Sequence, residues 1–119
     1  MAPKRGDAAA PPPVGDEYGV RFATNDAAKG WEDFCRQEPN NTRWAYEQMR
    51  DNPGCCKEGP TTRHSRLRAE FSVATHGGVE LPQWQLEVTS GGRVWYLVDE
   101  ARRLVWIRKA GRGHPKATE

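Results

Sequence analysis

The feature that most constrains this chain is a period-two alternation across residues 83–110, broken twice by short turns. In QWQLEVT, residues 83–89, Trp84, Leu86 and Val88 alternate with Gln83, Gln85 and Glu87. Successive strand side chains point to opposite faces, so this is a strand with one apolar side. Ser90, Gly91 and Gly92 then allow a tight reversal. Residues 93–99 form the return strand, and a turn around 100–102 leads into a last strand over 103–110. That last strand is apolar on both faces, with Leu104 and Trp106 on one and Val105 and Ile107 on the other, as expected of a central strand. A sheet meander of this kind needs a cover for its apolar face.

The first half of the chain supplies one. YGVRFAT, residues 18–24, alternates Tyr18, Val20 and Phe22 against Gly19, Arg21 and Ala23, and reads as a short half-buried strand. Thr24, Asn25 and Asp26 offer an N-cap. Ala27, Ala28, Trp31, Phe34 and Cys35 then fall at helical spacing up to about Gln37, and Pro39 is expected to stop that helix. Asn40, Asn41 and Thr42 offer a second cap. Trp44, Ala45, Gln48 and Met49 line a second helix that ends before Asn52, Pro53 and Gly54. Residues 52–64 read as a loop. Residues 70–75 read as a further strand, turning at His76, Gly77 and Gly78. The order strand, helix, helix, antiparallel meander is an α+β layout, with a helical hairpin over one face of the sheet. Residues 1–16, rich in Ala, Pro and Gly, read as a disordered tail. Residues 17–119 read as a single domain.

Charge and cysteine usage narrow the function classes. Residues 1–60 carry 8 basic and 10 acidic side chains, whereas residues 61–119 carry 10 basic and 6 acidic. The basic excess thus lies in the sheet-forming half and points weakly to an anionic partner. Cys35, Cys55 and Cys56 make neither a disulfide framework nor a zinc spacing, so reduced thiols are expected, with Cys35 a small core residue. No apolar run approaches the ~20 residues that span a bilayer. The first residues lack the apolar core of a secretory signal. A cytoplasmic location without membrane contact is the expectation.

Alternation also assigns the second face of the sheet. If Trp84, Leu86 and Val88 pack on the helices, then Gln83, Gln85 and Glu87 point away from them. On the return strand Val94, Tyr96 and Val98 are core, and Arg93, Trp95 and Leu97 face outward. Glu87 is a cross-strand neighbour of Arg93. Arg112, His114 and Lys116 follow the last strand closely enough to fold over its edge. Arg66 and Arg68, in RHSRLR, precede the meander and can join them. Arginine forks clamp phosphate oxygens, an exposed indole such as that of Trp95 stacks on an unpaired base, and a histidine exchanges a proton near neutral pH. Those groups suffice to cleave RNA without a metal.

The pieces RLRAEF, QLEVTSGGRVWYLVDE and RLVWIRKAGRGHPK resemble the RelE/ParE superfamily of type II toxin–antitoxin toxins. The pattern Arg93-x-x-Tyr96, followed by Asp99, Glu100 and a last apolar strand ending at Gly111, carries the likeness. With the upstream strand and helices it covers about residues 18–118. The resemblance implies a RelE-like α+β fold with a curved antiparallel sheet. It implies a toxin that inhibits translation as a ribosome-dependent mRNA interferase, without cofactor or metal, or a gyrase inhibitor in the ParE branch. It also implies a cognate antitoxin protein that binds the toxin and assembles with it. Carried over by position, Arg93 holds the scissile phosphate, His114 is the general acid and Glu87 the base. Arg66, Arg68, Trp95, Arg112 and Lys116, read from the residues of that face, are the expected RNA contacts. The chain departs from RelE in offering Gln85 and Glu87 where lysines stand, in having no tyrosine after Tyr96, and in an extra segment at 74–82. A catalytically inactive interaction module is the reading from a different class.

Overall fold

A computed structural model describes residues 3–9, 11–54 and 63–112, with the side chain of Arg112 left out. The elements are β1 (Gly19–Phe22), α1 (Asn25–Gln37), α2 (Pro39–Asp51), β2 (His64–Arg66), a 3-10 turn (Ala69–Phe71), β3 (Val73–His76), β4 (Val79–Thr89), β5 (Gly92–Asp99) and β6 (Leu104–Arg112). The fold is α+β: two helices pack on an open six-stranded sheet of order β1-β6-β5-β4-β2, with β3 also paired to β4. The meander from β3 to β6 is antiparallel. The sheet as a whole is mixed, because β1 lies parallel to β6. The expected antiparallel meander is present, and the parallel pairing of β1 beside it was not anticipated. The first strand returns beside the last, and both run the same way.

Each element has a local cause. Thr24 caps α1, its Oγ1 accepting the Ala27 N–H at 2.9 Å. Ala27, Ala28, Trp31 and Phe34 are buried on one face of α1. Cys35 falls on the rim of that face and is exposed, contrary to its reading as core. Pro39 does end the first helix, but it also opens the second. It takes the first turn of α2, where a missing N–H leaves no hydrogen bond unmade. Thr42, expected as a cap, instead lies inside α2 and donates from Oγ1 to the Phe34 carbonyl at 2.9 Å, tying the two helices together. Gly77 and Gly78 have φ of 59° and 81°, which suits the two-residue turn between β3 and β4. The strand expected over 70–75 is displaced, with the 3-10 turn taking residues 69–71.

The main core lies between helices and sheet. It contains Val20 and Phe22 of β1, Trp31 and Phe34 of α1, Ala45 and Met49 of α2, and Leu86, Val88, Val94, Tyr96, Val98, Val105 and Ile107 of the sheet. Trp44 and Trp84 pack against it half-buried. Part of the segment read as a tail is hydrogen-bonded along β1. The Gly6 N–H reaches the Phe22 carbonyl at 2.9 Å, the Phe22 N–H reaches Asp7 at 3.1 Å, and the Ala9 N–H reaches Val20 at 2.8 Å.

The helix and the sheet approach closely at Gly30. A Cβ there would sit 1.7 Å from the Ala110 carbonyl oxygen of β6. Nearby, a Cβ at Gly92 would sit 2.7 Å from a Phe34 ring carbon. Helix propensity alone favours alanine over glycine by about 1 kcal/mol. At Gly30 the steric cost is expected to win, and Gly30→Ala to destabilise the protein by about 1–3 kcal/mol. Denaturant midpoints of the two proteins check this, and an alanine variant of equal or higher stability would contradict the close approach.

Candidate functional site

The outer face of the sheet, away from the helices, holds the residues that the sequence singles out. It is less open than alternation alone implies. Residues 67–82 fold back beneath it and bury Leu67, Leu81, Gln83, Trp95 and Leu97. Gln83 joins this cover to the sheet and is only 1% exposed. Its backbone N–H donates to Ser72, its carbonyl accepts the Leu67 N–H, and its side-chain Nε2 donates to the Phe71 carbonyl at 2.9 Å. Its Oε1 accepts from Arg108 Nη1 at 3.3 Å.

Trp95 is therefore corrected as a stacking platform. It is 2% exposed, with the Phe71 ring 5.9 Å away centre to centre and the Lys109 ammonium 4.7 Å from its ring centre. The physical reason is the fold-back: an indole on a sheet face attracts an apolar cover. An exposed face for an unpaired base is not present at that indole.

Arg93 and Glu87 do come together. They are direct partners in the β4–β5 ladder, and Arg93 Nη1 lies 3.5 Å from Glu87 Oε2. Both are half-buried, at 15% and 25% side-chain exposure. Arg93 Nη1 also reaches the Thr89 carbonyl at 3.4 Å. On the other side Arg93 faces Gly111 of β6. A side chain at Gly111 would meet none of the described residues within 4 Å. The outer face thus brings a cation and a carboxylate together beside Gly111.

The other expected contacts are spread more widely. Arg66 pairs in register with Trp84, which packs on the helix-side core, so alternation sets Arg66 on the opposite side of the sheet from Arg93. Its guanidinium is held by the Ser72 carbonyl at 3.2 and 3.0 Å. Arg68 is exposed just before the 3-10 turn. The backbone of Arg112 pairs with Gly92 at the end of β6. His114 and Lys116 lie outside the described residues, as do Cys55 and Cys56.

Two cations of this face were not anticipated. The ladder between β5 and β6 shifts register between Trp95 and Tyr96. Consecutive residues Arg108 and Lys109 consequently both reach the outer face, one at Gln83 and the other at Trp95. Strict alternation would send them to opposite sides. Among the described residues, no group of three His, Cys, Asp or Glu side chains is placed to hold a metal ion. No helix among them is long and apolar enough to cross a membrane. A groove of about 520 Å³ between the helices and Pro11 and Pro12 includes Trp31, Cys35 and Tyr46. It lies on the helix side, away from Arg93.

The tyrosine of the Arg-x-x-Tyr pattern has a different placement. Tyr96 is fully buried on the helix side, and its hydroxyl donates to the Pro53 carbonyl at 2.7 Å. With that hydrogen already given, the hydroxyl oxygen accepts from His64 Nε2. His64 itself is buried, with its ring edge-on to Trp84 at 5.8 Å. This chain of bonds pins β2 and the end of the helical hairpin to the central strand. Burial lowers the His64 pKa to about 4, opposed by the Pro53 carbonyl, and pushes the Tyr96 phenol up.

Comparisons with models of protein families, with curated proteins and with solved structures returned no match. The family likeness therefore stands on its motif residues.

The His64 shift has a sign that can be checked. An unfolded histidine titrates near ~6.5, so between that pH and about 4 the unfolded chain binds the proton and the folded chain does not. The stability from neutral His64 is complete above about pH 6.5 and is lost as pH falls toward 4. Wild type is expected to lose up to about 3 kcal/mol more than His64→Gln across that window. Denaturation at stepped pH measures it, and parallel stability curves would contradict it.

Proposed function

We propose that this chain is a metal-independent endoribonuclease of the RelE type, a toxin that cuts mRNA on the ribosome and is neutralised by a cognate antitoxin protein. The observation that carries the reading is the Arg93–Glu87 pair on the outer face, opposite Gly111 in the ladder. Gly111 precedes His114 by three positions in the sequence. The resemblance assigns the acid role to His114, which lies outside the described residues.

The chemistry follows from the residue types. Glu87 accepts the proton of a ribose 2′-hydroxyl, and the resulting oxygen attacks the adjacent phosphorus. Arg93 offers a planar fork that can hold a carboxylate along one edge and phosphate oxygens along another. It balances the charge that grows on the non-bridging oxygens in the pentavalent state. His114 gives a proton to the departing 5′-oxygen. One P–O bond forms and one breaks, leaving a 2′,3′-cyclic phosphate and a 5′-hydroxyl. Lys109 and Arg108 add positive charge to the same face and attract the RNA backbone, with salt-sensitive affinity. Arg112 and Lys116, which follow in sequence, extend that role.

Induced expression of wild type and Arg93→Ala, followed by primer-extension mapping of transcripts, tests this reading. Wild type is expected to cut within translated codons. The alanine variant should cut on the order of 10²–10³-fold less while remaining folded by circular dichroism. Blocked supercoiling without cut transcripts would replace this reading with a ParE-like gyrase inhibitor. Growth indifferent to expression would leave an inactive interaction module.

A further inference from the structure

The β3–β4 hairpin, which has no counterpart in the family motifs, folds His76 over Trp106. The two rings lie 4.1 Å apart centre to centre and 33° from parallel. Both side chains are half-buried, so part of the stack remains open to solvent. Trp106 pairs with Leu97 on β5 and with Arg21 on β1. Leu97 shares the outer face with Arg93, so the aromatic stack and the guanidinium stand on one side of the sheet. They are four residues apart along β5, about 13 Å.

The surroundings are cationic. Arg21, the register partner of Trp106, sends Nη1 to the Gly6 carbonyl at 2.9 Å. Arg108 reaches Gln83, next to Leu97 in the ladder. Burial, and then the charges of Arg108 and Arg5, lower the His76 pKa. Val79, opposite His76 at the foot of the hairpin turn, is one of the exposed large apolar side chains.

We infer that the His76–Trp106 stack is a nucleobase subsite for single-stranded RNA, at the far end of the outer face from Arg93. This rests on the ribonuclease reading above and adds to it a place where a flanking nucleotide is held. An unpaired base extends the stack over the open side of His76, and Arg5, Arg21 and Arg108 lie around it for the neighbouring phosphates. The charge pattern selects the ligand. A flat aromatic surface ringed by arginines fits a base tethered to anions, and stacking of this kind tolerates any base. The hairpin is then a recognition arm, and the Arg93 end is the site of chemistry.

A short 2′-O-methyl oligoribonucleotide, which lacks the attacking hydroxyl and is not cut, is the probe. Fluorescence anisotropy compares wild type, His76→Ala and His76→Phe. The alanine variant is expected to bind on the order of tenfold more weakly, and phenylalanine to restore binding. Single abasic positions are then moved along the oligonucleotide. At one position the abasic loss should disappear in His76→Ala, the mark of a base resting on that ring. The slope of affinity against salt should be the same for wild type and His76→Ala, because no phosphate contact is removed. His76→Phe as weak as His76→Ala, abasic losses that are independent of His76 at every position, or no binding by wild type would each overturn the subsite. So would equal sensitivity to His76 in binding duplex DNA or an acidic peptide. The two claims fail separately. Cut transcripts with no His76-dependent position remove the subsite alone, and His76-dependent binding without cut transcripts removes the ribonuclease alone.

Discussion

The side chains of β5 from Val94 to Val98 are all withdrawn from water, three toward the helices and two toward the outer face. A strand buried on both sides obliges the chain to provide two covers. The helical hairpin is the first, and it can sit close enough only because Gly30 lets α1 touch the backbone of β6. The fold-back of residues 67–82 is the second, fastened by three hydrogen bonds of Gln83, to Leu67, Phe71 and Ser72. Tyr96, in the middle of β5, then ties both ends of the intervening loop to the sheet through Pro53 and His64.

This arrangement decides where function can reside. The fold-back occupies the middle of the outer face, over Trp95 and Leu97. What remains accessible lies at the two ends of β5. One end carries Arg93 and Glu87, opposite Gly111. The other carries the His76–Trp106 stack among arginines. The bulge in β6 adds Arg108 and Lys109 between them. Arg93, Arg108 and Lys109 of the sheet strands thus share one face, and their charge is the basis of the proposed RNA contact.

Much of this was legible from residues alone, and the failures share a cause. The α+β layout, the extent of α1 and the inward face of the meander follow from periodicity and capping, which are local. The Glu87–Arg93 pairing follows from the tight turn at Ser90 and Gly91, which sets the register of the hairpin. Long-range events were not legible. β2 is three residues long and carries no periodic signal, and its partner lies twenty residues away in β4. Nothing local marks β1 as parallel to β6. The covered outer face did leave a trace, since Trp95 and Leu97 are poor choices for a solvated surface. Packing of Trp95 under a covering segment was readable from its type, but the cover is residues 67–82 rather than the C-terminal segment. His64 looked like a loop residue because its partner hydroxyl lies on another strand.

The account's central claim is that the outer face performs transesterification of RNA with the chain's own side chains. The end groups of the products test it most directly. Purified protein is incubated with ribosomes programmed with a defined mRNA, in buffer containing a chelator, and the fragments are weighed by mass spectrometry. Upstream fragments ending in a 2′,3′-cyclic phosphate, with 5′-hydroxyl downstream fragments, are expected. Fragments ending in a 3′-hydroxyl with a 5′-phosphate, or intact mRNA, would contradict it.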